Sequence, residues 1–130
     1  MARRDTFHDN KVVVAIAPAV ATAAASGSTV DTQGYSSVLF AIATGAIVGD
    51  GDFGVKIQHS DTTDNGDITD APATTVLGAV PATLEASTAY RLGYIGGKRY
   101  ARVALTKAGG TSIAIGAVAV LGEPAIAPVA

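Results

Sequence analysis

The feature of the sequence that most limits its fold is the regular spacing of its turn residues. Clusters of Gly, Asp and Pro interrupt the chain roughly every ten residues, and the segments between them are short and rich in Val, Ile, Thr and Tyr. Asp outnumbers Glu nine to two and there are 15 glycines, a composition that favours turns over helices. The segment FGVKIQHS, residues 53–60, alternates apolar and polar positions as a half-buried strand does. The sequence therefore predicts an all-β fold.

We predict one β-sandwich domain over residues 11–130, preceded by a polar N-terminal arm over residues 1–10. About eight short strands with frequent turns are typical of a sandwich or a barrel. The Ala-rich segment 19–28 fits either a helix or irregular structure, and 81–87 fits one helical turn that begins at a proline. The tail 123–129 contains two prolines and is predicted to be an extended strand or arm. The predicted strands cover 11–17, 28–34, 35–45, 53–60, 74–80, 89–96, 99–106 and 111–122.

Two of the predicted strands, around 37–44 and 111–121, are apolar on both faces. An isolated antiparallel sandwich normally carries polar residues on its outer faces. Two explanations stay open: small apolar residues are simply tolerated at this surface, or the second faces are buried against other subunits. The residues in question are Leu39, Ala41, Ala43, Val118 and Val120.

The stretch HSDTTDNGDITDAP, residues 59–72, contains four aspartates spaced three residues apart. An EF-hand calcium loop of this type needs a bidentate Glu at its twelfth position. With Asp61 at position one, position twelve is Pro72, which has no carboxylate. The Asn65–Gly66 pair is instead a strong signal for a tight turn. We therefore predict a solvated turn, with a weak surface cation site as the alternative, and we expect no structural metal and no cofactor.

Motifs for catalysis are missing from the sequence. It contains no G-x-S-x-G, no H-E-x-x-H and no Gly-rich phosphate loop before a helix. The two histidines are His8, in the arm, and His59, at the end of a strand. Asp61 is close to His59 in sequence, but a catalytic triad depends on spatial geometry and not on sequence proximity. We expect that the protein is not an enzyme.

Charge and hydropathy argue against two further classes of partner. The net charge of −2 gives no global basic field for a nucleic acid. A basic and aromatic group lies at 90–102, but strand alternation divides it, with Tyr100 and Arg102 on one face and Arg99 on the other. Tyr and Arg are also the residues that anchor protein–protein contacts. No run of about 18 residues is apolar and uninterrupted enough to span a bilayer. We expect neither a nucleic acid nor a membrane as partner.

Four pieces of the sequence, in this order, resemble a known family. They are VDTQGYSSVLFAIATG, GDFGVKIQHSDTTDNGDITDAP, YRLGYIGGKRYARVAL and AVAVLGEPAIAP, which together cover roughly residues 29–128. The chain resembles the head decoration, or cement, proteins of tailed bacteriophages and gene transfer agents. The N-terminal MARRDTFHDNKVVVAIAP also fits, since these proteins often begin with an extended segment before the first strand.

The resemblance implies a jelly-roll-like antiparallel β-sandwich that forms a homotrimer. It also implies a position on the outer surface of the virion, at three-fold and local three-fold positions over the major capsid protein, and it provides no catalytic residues. A tail or head–tail connector protein is the alternative. A carbohydrate-binding sandwich is weaker, because such a site favours exposed aromatic residues and this chain has no Trp. The expected capsid contacts are Arg3, Arg4 and Phe7, and the expected trimer contacts are Leu39, Ala41, Ala43, Tyr100, Arg102, Val118 and Val120.

Overall fold

The computed structural model describes residues 3–125, and within them it contains ten strands and two single-turn 3-10 helices. Six strands are six residues or longer, and four are two-residue pairings at the edges. In this described part of the chain, no helix is long and apolar enough to reach across a bilayer. The strands are β1 (Lys11–Ala21), β2 (Ala25–Ser26), β3 (Val30–Asp31), β4 (Tyr35–Val48), β5 (Asp52–Ser60), β6 (Thr69–Asp70), β7 (Val76–Leu77), β8 (Ala89–Tyr94), β9 (Tyr100–Gly109) and β10 (Ser112–Pro124).

The strands form two antiparallel sheets that pack against each other, which confirms the predicted β-sandwich. The first sheet has the order β1-β10-β4-β8-β7, and the second has the order β2-β9-β5-β6, with β3 also paired to β9. The chain crosses repeatedly from one sheet to the other, so the first strand pairs with the last and lies beside it in the same sheet. This nested pairing is the strand order of a jelly roll.

The core lies between the sheets and follows the strand alternation. Phe40 and Ile113 point inward from the first sheet, and Phe53 and Val103 point inward from the second; all four are fully buried. On β5, Phe53, Ile57 and His59 are buried and Val55 is half-buried, as its alternation predicts, but Gly54 and Ser60 of the alternate row are buried as well. Burial of these apolar side chains is the main contribution to the stability of such a fold.

The first strand is longer than predicted. The sequence placed its end before Pro18, but β1 continues through this residue to Ala21. Because β1 is at the edge of its sheet and its register shifts between Ile16 and Ala19, the missing N–H of Pro18 breaks no regular ladder hydrogen bond. The Ala-rich segment after Pro18 is therefore partly strand and not helix.

The predicted helical turn at 81–87 is wrong. This segment is irregular, and its backbone bonds to the neighbouring strands instead of to itself. The Leu84 N–H donates to the carbonyl of Phe53 at 2.8 Å, and the Ser87 N–H donates to the carbonyl of Gly45 at 3.0 Å. Leu84 is buried in the core, so tertiary packing outweighs the weak local preference for helix.

The turn predictions can be checked at two places. Gly34 has φ of +90°, in the left-handed region, as expected for a chain reversal before β4. The Asp-rich loop joins the paired strands β5 and β6, with the Asp67 N–H donating to the carbonyl of Asp64 across a 3-10 turn.

The strand predicted at 74–80 is shorter than expected, because only the two residues of β7 are in strand conformation. In the predicted C-terminal strand or arm, Glu123 and Pro124 belong to β10, whereas residues 126–130 lie outside the described residues.

Candidate functional site: the apolar outer face of the first sheet

The outer side of the first sheet presents a continuous apolar surface, which we call the apolar outer face. It arises because β1, β4 and β10 are apolar at both alternating sets of positions, so that one set is buried in the core and the other is left outside. On β4 the inward Phe40 alternates with the outward Leu39 and Ala41. The outward residues are Val12, Val14 and Val20 on β1, Ala114, Val118 and Val120 on β10, Leu39, Ala41 and Ala43 on β4, and Ala89 on β8.

The strand register places these residues side by side. Val118 of β10 pairs with Val14 of β1 on one side and with Ala41 of β4 on the other. Val120 pairs in the same way with Val12 and Leu39. The sequence identified the second faces of 37–44 and 111–121 separately, and the structure shows that they are neighbours in one sheet. It also adds β1, whose outward valines were not among the residues predicted to form a second apolar face.

A shallow groove of about 720 Å³ runs across this face. The groove is lined by small residues, and glycine is needed where neighbouring strands come close. A Cβ added at Gly45 of β4 would lie only 3.0 Å from the Cβ of Ala114 on β10. A Cβ added at Gly116 would lie 3.1 Å from the ring of Pro18, which leans over from β1. The glycines therefore allow close contact between neighbouring strands and leave a depression above them.

Charge is almost absent from the apolar outer face. Among the outward positions of β1, β4, β8 and β10 in the described chain, Arg91 is the one charged residue. It lies on β8, opposite Ala41 and away from β1. The largest apolar patch on a typical monomeric protein covers about 300–600 Å² and is often functional. The geometry therefore favours contact with an apolar protein surface.

Tyr100 and Arg102 do not join this face. Both belong to β9 in the second sheet, so the structure separates them from the five other residues expected at a trimer contact. The Arg102 Nε donates to the side-chain oxygen of Gln58 at 2.8 Å, and the guanidinium of Arg99 lies 5.0 Å from the centre of the Tyr100 ring. Periodicity within a strand shows that two residues share a face, but it does not show which sheet the strand enters.

The N-terminal arm is exposed over its described residues, 3–10. Phe7 is 81% exposed, the largest value among the exposed large hydrophobic residues of the described chain. The arm makes its own short turn, in which His8 Nδ1 lies 2.6 Å from a carboxylate oxygen of Asp5 and the Asn10 amide donates to the carbonyl of Thr6. Arg3 and Arg4 are exposed as well. The three expected capsid contacts thus lie together on an accessible segment.

The polar cluster near the Asp-rich loop makes internal contacts. His59 Nδ1 lies 2.7 Å from the hydroxyl of the buried Tyr94, which also accepts a hydrogen bond from the Lys98 N–H. Burial raises the pKa of Tyr94. The Lys98 ammonium lies 2.8 Å from Asp61, so His59 and Asp61 have different partners and are not joined in a relay. Within residues 3–125, no group of three or more His, Cys, Asp or Glu residues is arranged to hold a metal ion.

The strand order and the apolar outer face together define a jelly-roll β-sandwich with an apolar surface on the outer side of one sheet. No protein-family model, no curated protein and no solved structure matches the chain significantly.

Proposed function

We propose that this protein is a capsid decoration subunit: a homotrimer that binds the outer surface of the major capsid protein shell and stabilises it. The observation that carries the proposal is the apolar outer face, a contiguous apolar surface on an otherwise regular sandwich. A structural subunit needs a rigid core and surfaces for contact with other subunits. The jelly-roll order and the sequence resemblance to decoration proteins support the same assignment.

The apolar outer face holds the copies of the trimer together in this proposal. Strand spacing of about 4.8 Å and a rise of about 3.3 Å per residue give the four-stranded face an area of roughly 500 Å². A standard interface buries roughly 800 Å² on each partner, so this face supplies part of what the contacts of a stable trimer need.

The N-terminal arm attaches the trimer to the shell. Phe7 provides an apolar anchor, and Arg3 and Arg4 provide donors for carboxylates or carbonyls on the capsid surface. Three arms on each trimer bind together, so a weak contact per arm becomes a strong attachment through avidity. Stabilisation of the shell follows because each trimer bridges neighbouring capsid subunits.

Deletion of residues 1–10 tests this proposal. Sedimentation should show a trimer for both the full chain and the deletion variant, while less of the variant co-sediments with empty capsid shells. Phe7→Ala should have a smaller effect in the same direction. Val48→Ala is the matched control, because Val48 is also an exposed apolar residue but lies at the end of β4, outside the arm.

Equal shell binding by the deletion variant and the full chain would contradict the role of the arm. A full chain that is monomeric and never binds shells would contradict decoration itself, and a tail or head–tail connector role would then replace it.

A further inference from the structure

Residue size is distributed unevenly across the apolar outer face. On one side are the β-branched Val12, Val14 and Val20, which are 62%, 50% and 67% exposed. We call these three residues the β1 ridge. On the other side are Ala41 and Ala43 of β4 and Ala89 of β8, which we call the alanine floor; all three line depressions in the face. Val14 and Val20 line the same groove as these alanines, so the β1 ridge forms one wall of the groove and the alanines form its floor, with Leu39 beside Ala41 along β4.

We propose that the β1 ridge of one copy packs into the alanine floor of a second copy. The proposal rests on the self-association in the proposed function and specifies its geometry. Valine side chains fill a groove lined by alanine, and close packing of this kind is what makes an apolar contact specific. The single charged residue of the face, Arg91, pairs with Ala41 and therefore lies beside the alanine floor and away from the ridge.

The edge strand itself favours this mode of contact. An exposed edge strand can extend its sheet by pairing with another chain. In β1, however, Pro18 lacks an N–H, and the register shifts twice, between Val14 and Ile16 and between Ile16 and Ala19. These irregularities disfavour regular pairing along most of the strand. A second copy therefore meets β1 through its side chains.

The ridge lies on β1 and the floor on β4 and β8, and this separation also allows a closed ring. Each copy can give its ridge to one neighbour and receive the ridge of another on its floor. Such a head-to-tail contact closes into a ring if the rotation between copies is suitable, and a three-fold ring satisfies the proposed trimer. A two-fold dimer of stacked faces would instead bring matching residues together near its axis.

Disulfide crosslinking tests the geometry, because the chain contains no cysteine. Val14 lies level with Ala41 across β10, and Ala43 is two residues further along β4, so the Cα atoms of Val14 and Ala43 in one chain are about 12 Å apart. A disulfide requires Cα atoms closer than about 7 Å, and the double variant Val14→Cys/Ala43→Cys can therefore crosslink only between chains. Mild oxidation should convert most of the double variant to covalently linked dimers and trimers, and a reductant should return these to single chains.

The single variants Val14→Cys and Ala43→Cys are the matched controls and should remain uncrosslinked. A second double variant, Val20→Cys/Ala89→Cys, should crosslink in the same way. It tests the same contact with a different pair of residues if the first pair perturbs folding. Denaturation of the reduced proteins shows whether each variant is folded.

Two results would overturn the ridge-to-floor contact. The first is an assembled, folded double variant that forms no disulfide between chains, and the second is equal crosslinking by a single variant, which indicates a two-fold contact. Binding to shells is measured separately. Crosslinking without shell binding contradicts only the decoration role, and shell binding without crosslinking contradicts only this geometry.

Discussion

Leu84 should be one of the most important residues for stability, although it lies outside every strand. It comes from the irregular segment between β7 and β8 and is 2% exposed, so its side chain fills space between the two sheets. The hydrogen bond from its N–H to the carbonyl of Phe53 fixes the segment against β5. Replacement by Ala removes three carbons from a closely packed region and leaves a cavity.

The expected cost follows from that burial. Leu→Ala substitutions in protein cores lower the free energy of unfolding by about 2–5 kcal/mol, and we expect about 3 kcal/mol for Leu84→Ala. For a chain of this size, that loss corresponds to a fall in Tm of about 10 °C. Leu77→Ala is the matched control: Leu77 is 55% exposed on β7, and its replacement should change stability by less than about 0.5 kcal/mol.

Urea unfolding followed by circular dichroism, with Tm from calorimetry, measures both variants. All samples need the same protein concentration, because self-association raises apparent stability. A Leu84→Ala protein within about 1 kcal/mol of the parent would refute the idea that this segment is part of the core.

Two further predictions concern a turn and an ion pair. Gly34→Val should lower the free energy of unfolding by about 1 kcal/mol or more, because valine is strained at φ of +90°. Gly97→Val, at an open position without positive φ, should cost less, and equal losses for the two variants in urea unfolding would contradict this reason. Arg99 lowers the pKa of Asp31, so the contribution of this pair is present above the unfolded pKa of about 3.9 and is lost as pH falls through the lower folded pKa. Asp31→Asn should therefore reduce the loss of stability between about pH 4 and pH 2, and unchanged pH profiles of the Tm would contradict the assignment.

Much of the fold was predictable because local patterns and tertiary structure agree. Segments such as 35–45 and 53–60 combine β-branched residues with clear boundaries, and both are strands in the structure. The predictions that differ lie where a distant contact determines the conformation. Pro18 lies within a strand because that strand is at the edge of its sheet. The segment around Leu84 is irregular and not helical, because the Leu84 side chain packs in the core. Neither condition can be read from neighbouring residues.

The candidate site was predictable only in part, for a related reason. Alternation identified Leu39 and Val118 as residues of second apolar faces, but it could not show that β10 pairs with both β1 and β4. That pairing joins the faces and adds Val14. It also places Tyr100 on the other sheet, since the chain changes sheet between β8 and β9.

The pairing of the first strand with the last has a consequence for the order of events during synthesis. Lys11 pairs with Leu121, and β10 separates β1 from β4 in the finished sheet. Contacts between residues so distant in sequence form slowly, because the chain must lose much of its conformational freedom before they exist. The first sheet is therefore incomplete until residues 112–124 have left the ribosome. In the proposed trimer, a nascent chain therefore lacks the assembled ridge and floor, and this delay limits premature association between neighbouring chains on one messenger RNA.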